Sequence, residues 1–188
     1  MKPALLIIDM LVDFVHEDGA LHVPGAQEAI PVIRKVHDTL RERGVPILYL
    51  CDAHSLDDPE MADWPPHAIQ GTKGAEIISS LEPAPDDLVI QKTHIRGFDE
   101  PEVAEKIEEL EADYLIITGV ATEYCVKETA LQARKHGLAV TIVTDGVAGV
   151  ERNTGDIEGA VKELRLAGVQ FLSSKELLGD LEGRVHAA

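Results

Sequence analysis

Cysteine is scarce in this 188-residue chain, which has only Cys51 and Cys125. Two thiols make no disulfide framework, so the core must hold the fold, and a reducing, cytoplasmic setting is expected. Positive charge is scarce as well. Seventeen lysines and arginines face 34 aspartates and glutamates, a formal net charge of −17. That balance argues against nucleic acid or an anionic membrane as a partner. No apolar run approaches the ~20 residues that span a bilayer. The short run in MKPALLIIDM stops at Asp9 without a small-residue cleavage site, and reads as a first strand, not a signal peptide. Aromatic residues reach only 4%, yet hydrophobic residues make up 45% and are spread throughout. One globular domain over residues 1–188 is expected.

What is present is an alternation of β-branched runs and helical patterns. Strands are predicted at Ala4–Ile8, Pro46–Cys51, Leu88–Gln91, Tyr114–Val120, Ala139–Val143 and Val169–Leu172. Helices are predicted at Ala26–Arg43, around Ala75–Leu81, and at Pro101–Leu110, Cys125–His136 and Ile157–Ala167, with the closing GRVHAA as a frayed tail. Continuous apolar strands between helices predict a Rossmann-like three-layer α/β sandwich, with a six-stranded, mostly parallel sheet covered on both faces. Ligands bind such sheets beyond the carboxyl ends of the strands. Asp9, Asp52, His54, Lys92 and Cys125 all fall there.

Cys125 follows the run YLIITGV at the expected start of a helix. Unpaired N–H groups and the helix dipole favour a thiolate at that place and could hold an oxyanion. Asp9 interrupts a buried strand end and is the candidate for handling the thiol's proton. Lys92 would supply the positive charge beside both. Each residue alone has a plainer role, as a buried hydrophobe, a turn cap or a solvent-facing lysine. Cys51 lies inside a strand and reads as structural. Asp52 and His54 point the same way along an extended backbone, and His67 follows the stiff Trp64-Pro65-Pro66 stretch. Two imidazoles and a carboxylate suit a divalent ion, zinc first and iron or manganese as alternatives. Loop caps are the competing role for these residues.

Four blocks carry a resemblance that covers nearly the whole chain: LLIIDMLVDF, DAH…WPPHAIQGTKGAEI, VIQKTHIRGF and GVATEYCVKETALQA. Together they resemble the isochorismatase-like cysteine hydrolases, nearest to the nicotinamidase/pyrazinamidase branch. The resemblance implies a Cys125, Asp9, Lys92 triad and metal ligands Asp52, His54 and His67. It implies a cis Val120–Ala121 peptide that turns the Ala121 N–H inward to form an oxyanion hole with the N–H of Cys125. It also implies hydrolysis of nicotinamide, and of analogues such as pyrazinamide, to the acid and ammonia through a cysteine thioester, and a homo-oligomer, dimer or tetramer. In that branch the metal holds the pyridine nitrogen or ordered waters. Phe14, Trp64 and Phe98 are candidates to flank a flat ring.

The chain departs from the family pattern at Leu11, Glu123, the histidine-free SLDDPEMADW stretch and Arg96-Gly97-Phe98. These departures leave other substrates open: N-carbamoyl compounds, ureidoacrylate, biuret, maleamate, or isochorismate itself. Arg96 could meet a substrate carboxylate. A non-catalytic, ligand-binding member is the reading from a different class, and the intact triad argues against it.

Overall fold

The computed structural model describes residues 1–185. Its elements run β1 (Pro3–Ile8), α1 (Val12–Val15), α2 (Ala26–Glu42), β2 (Ile47–Asp52), β3 (Leu88–Lys92), α3 (Pro101–Glu109), β4 (Tyr114–Val120), α4 (Lys127–Lys135), β5 (Ala139–Ala148), α5 (Asp156–Leu166), β6 (Gln170–Leu172) and α6 (Ser174–Val185). The six strands form one sheet in the order β3-β2-β1-β4-β5-β6, and every pairing is parallel. Among the described residues no helix is long and apolar enough to cross a membrane.

The alternation of β1 explains the layers. Leu5 and Ile7 face one core, with Ile33, Val36 and Leu40 of α2 and Leu177 of α6. Ala4, Leu6 and Ile8 face the other, with Val103 of α3, Ala130 and Ala133 of α4 and Leu164 of α5. A strand buried on both sides must be apolar at every position, and LLII is. Chain order reverses between β1 and β4, so the crevice at this switch point opens beside the ends of those two strands. Their close approach depends on Gly119, at φ 108°. A Cβ there would lie 2.0 Å from the Ile8 carbonyl oxygen, so no other residue fits.

Five elements depart from the sequence reading, the unforeseen single turn α1 among them. Instead of a helix at Ala75–Leu81 there are two short 3₁₀ turns, Lys73–Ala75 and Ser79–Leu81. The residues between them pair with the start of α1. Leu11 and Ile77 form an antiparallel bridge, and the Ile78 N–H donates to Met10. Strand β5 continues past Val143 because, beyond a bulge, its pairing with β4 resumes at Gly119–Val147. Asp145, in this extension, caps α6 by accepting from the Ser174 N–H and hydroxyl, both at 2.7 Å. That helix was not foreseen, and it takes in Gly183–Val185 of the expected tail. His186–Ala188 lie outside the described residues. Helix α4 begins at Lys127, later than expected, after a π-type turn over Thr122–Val126.

Candidate active site

The site grows from the ends of four neighbouring strands. Asp9 closes β1 in a left-handed conformation, φ 53°, which a short polar side chain tolerates. Its Oδ1 accepts from the Asp52 N–H at 2.8 Å. Its Oδ2 is 2.9 Å from Lys92 Nζ. Lys92 is the register partner of Asp52 across β2 and β3, hydrogen-bonds Asp52 Oδ1, and lies 3.5 Å from Cys125 Sγ. Asp9, Asp52, Lys92 and Cys125 are all buried. Thus the residues expected to form a triad are in contact.

Cys125 is not in the first turn of an α-helix. The π-type turn carries it, with Tyr124 at φ −118°, ψ −105°. The Ala121 carbonyl accepts from the Tyr124 and Val126 N–H groups, at 3.0 and 3.2 Å, on either side of Cys125. The Val120–Ala121 peptide is cis, as the resemblance implied.

Protonation follows from burial and charge. Burial raises the Cys125 pKa well above the usual thiol range; Lys92 opposes this, and Asp9 and Asp52 add to it. The resting group is a thiol, contrary to the thiolate expected from a helix start, because desolvation outweighs one ammonium. Burial, then the charge of Asp52, lifts Asp9 to about 6 against the pull of Lys92. Burial would lower Lys92, but the two carboxylates hold it protonated. The site therefore rests as thiol, ammonium and a carboxylate poised near neutrality. Cys51 is buried and its pKa is also raised, first by desolvation, consistent with a structural thiol.

Asp52 turns its other oxygen, Oδ2, to within 3.7 Å of His54 Nε2. One ligand atom each from Asp52, His54 and His67 lie within 4.8 Å of one another, and all three residues are buried. The imidazoles are oriented from behind. His67 Nδ1 donates to the Pro65 carbonyl at 2.7 Å, so in the neutral ring Nε2 keeps the lone pair. His54 Nδ1 lies 3.0 Å from the Asp58 carboxylate, the carboxylate–histidine arrangement that backs metal ligands. Burial lowers the His54 pKa, but hydrogen bonds and charge from Asp52 and Asp58 override it and hold it at about 9. This donor set fits a divalent ion. Asp9, Asp52 and Cys125 are also mutually close, but the Lys92 ammonium already serves as their cation, and that trio does not fit a metal.

A cavity of about 470 Å³, including its open mouth, reaches Cys125 and Asp9 and is walled by Phe14, Leu21, Trp64, Tyr124 and Val150 among others. Phe14 meets His67 edge-on at 5.4 Å between ring centres. Trp64 meets Tyr124 edge-on at 5.2 Å, with the Arg152 guanidinium 4.6 Å from the indole centre. Phe98 is not part of the wall. It stacks on His136 at 4.8 Å and packs against the core beneath α3 and α4, because a 3₁₀ turn at Gly97–Asp99 directs it away. Arg96 is engaged by Asp99 at 2.9 Å and does not line the cavity either; Ile95 does. Leu21, Val23, Tyr124, Ile95 and Val150 were missed by sequence reasoning. Only Tyr124, adjacent to the cysteine, carried a signal.

Fold and cluster together are those of a hydrolase built on a doubly wound sheet with a buried cysteine at its switch point. The chain belongs to the isochorismatase family, whose domain model matches residues 3–176. It is 30% identical to a nicotinamidase/pyrazinamidase of Mycobacterium tuberculosis, over 91% of this chain and 98% of that one. A pyrazinamidase of Pyrococcus horikoshii, solved in complex with zinc, superposes with a TM-score of 0.85 at 31% identity, covering 92% and 99% of the two chains. An N-carbamoylsarcosine amidase of Thermoplasma acidophilum gives the same TM-score and identity over 94% and 98%.

Proposed function

We propose that this protein hydrolyses nicotinamide, and flat analogues such as pyrazinamide, to the acid and ammonia through a thioester on Cys125. The observation that carries this reading is the contact of Cys125, Lys92 and Asp9 at the floor of an aromatic-walled cavity that also touches His67. Its relatives include a nicotinamidase/pyrazinamidase.

The chemistry uses the resting protonation state. Asp9 takes the Cys125 proton as sulfur attacks the amide carbonyl, and Lys92 stabilises the charge that develops on sulfur. The Ala121 and Cys125 N–H groups are assigned to the oxyanion. Asp9 returns the proton to the departing nitrogen, so ammonia leaves and a thioester remains. Asp9 then accepts a proton from water as it attacks the thioester, and sulfur recovers that proton as the acid is released. A divalent ion, zinc by preference, would be held by Asp52, His54 and His67 and would supply a Lewis-acid point to which a ring nitrogen or its water binds. Phe14 and Trp64 are assigned to the ring faces.

A second reading is favoured by Arg152, whose guanidinium stands over the ring of Trp64, itself a residue of the cavity wall. It suits a small N-carbamoyl amide that carries a carboxylate, a class represented among the structural relatives. Ammonia release from nicotinamide and from N-carbamoylsarcosine by purified protein, beside Cys125→Ala, separates the two. Release from nicotinamide that the variant lacks supports the first reading. Release from the carbamoyl amide alone overturns it in favour of the second.

A further inference from the structure

We propose that Asp13 is a positioning residue that sets the third metal ligand, His67, and ties it to the cavity wall at Leu21. The inference rests on Asp52, His54 and His67 being metal ligands and deepens that reading.

The imidazole of His67 is fixed locally by Pro65, but its backbone belongs to a long loop and needs an anchor. The anchor is at the next residue. Ala68 adopts a left-handed conformation at φ 45°, which a residue with a Cβ rarely takes. The N–H of Ala68, in the peptide that follows His67, donates to Asp13 Oδ2 at 2.8 Å. The carbonyl of Ala68 accepts from the His54 N–H at 3.0 Å. The segment after His67 is therefore held between Asp13 on one side and the chain leaving β2 on the other. The same carboxylate takes the Ala20 N–H on Oδ1 at 3.3 Å, and the Asp13 main-chain oxygen takes the Leu21 N–H at 3.1 Å. Leu21 lines the cavity. The loop that carries His67 has also made room for the acid: a Cβ on Gly74 would lie 2.1 Å from Asp13 Oδ2 and 2.5 Å from Oδ1. Asp13 shares the single turn α1 with Phe14, whose ring rests on His67. That turn thus holds His67 by its backbone and by its ring.

Outer contacts of this kind typically govern metal affinity by about 10–100-fold. The test is cobalt(II) binding to metal-stripped protein, read by visible absorption and by competition with a chelator, with circular dichroism as the check on folding. Asp13→Ala should weaken cobalt about 10–100-fold and alter the absorption bands. Asp13→Asn keeps an oxygen for the Ala68 N–H and should recover most of the affinity. Gly74→Ala, which leaves Asp13 in place but displaces its carboxylate, should weaken cobalt as well, and decides the matter if Asp13→Ala does not fold. Wild-type affinity and spectra in folded Asp13→Ala, or in Gly74→Ala, would overturn the role of Asp13 while leaving the metal site standing. Equal losses in Asp13→Asn and Asp13→Ala would also overturn it. A wild-type protein that binds no cobalt would overturn the metal reading and this inference with it.

Discussion

Lys92 and Asp52 face each other across β2 and β3, in register along the backbone and hydrogen-bonded through their side chains. This pair joins two pieces of chemistry. On one side Lys92 meets Cys125 and Asp9. On the other, Asp52 meets His54. The thiol cluster and the imidazole pair are therefore one charge network.

Removing the cation should be costly. Lys92→Met fills much of the same space but leaves Asp9 and Asp52 buried without an ammonium. Breaking a buried pair in this way costs about 3–5 kcal/mol. The variant should melt well below the wild type in a thermal scan and lose turnover at least 100-fold. A wild-type melting temperature would contradict the assignment of Lys92 as the cation of the network.

Asp9 sets the acid limb of activity. It must be a carboxylate to take the thiol's proton, and its pKa is about 6. Turnover should rise as pH climbs through about 6 and should fall below it, when the acid is protonated. The pH profile of kcat/KM reports this group in the free enzyme. An acid limb that falls in the ordinary range for an exposed aspartate would contradict Asp9 as the base.

His54 makes metal binding pH-dependent. At pH 7 its imidazole is protonated between two carboxylates, with a pKa of about 9, and an ion must displace that proton. Zinc affinity should therefore increase about tenfold per pH unit up to about 9, with about one proton released per ion from this ring. Titration calorimetry in buffers of different ionisation enthalpy counts that proton. Binding without proton release at pH 7 would remove His54 from the ligand set.

Glu123 holds a wall of the cavity. One of its oxygens accepts from the Val150 and Glu151 N–H groups, at 2.8 and 2.6 Å, and Val150 lines the pocket. Glu123→Ala leaves both donors unpaired, at a cost of about 1–3 kcal/mol. KM should rise more than kcat falls, because the wall moves while the Cys125 cluster stays. Steady-state kinetics on nicotinamide measure the split.

The parallel sheet and the Cys125, Asp9, Lys92 cluster were legible because Asp9 and Lys92 stand at the ends of apolar strands, where a charged side chain stands out, and Cys125 follows the run YLIITGV at the expected start of a helix. Asp52, His54 and His67 were legible as a pattern and as part of the family resemblance. The walls were not. Leu21, Val23 and Val150 come from loops whose spacing carries no period, so sequence cannot say which way they face. Phe98 misled for the same reason: it follows a strand end, but a 3₁₀ turn directs it to His136. Arg96, read in the sequence as a partner for a substrate carboxylate, is bound to Asp99 instead. The protonation of Cys125 was misjudged because burial is a tertiary property, and here it outweighs the nearby ammonium.

The most direct test of the central claim is to mix the protein with nicotinamide, quench in acid and weigh the intact chain. The account predicts a mass increase of one nicotinoyl group, mapped by peptide digestion to Cys125 and absent from Cys125→Ala, together with ammonia release that the variant lacks. Full ammonia release by Cys125→Ala would contradict the claim that this thiol carries the acyl group.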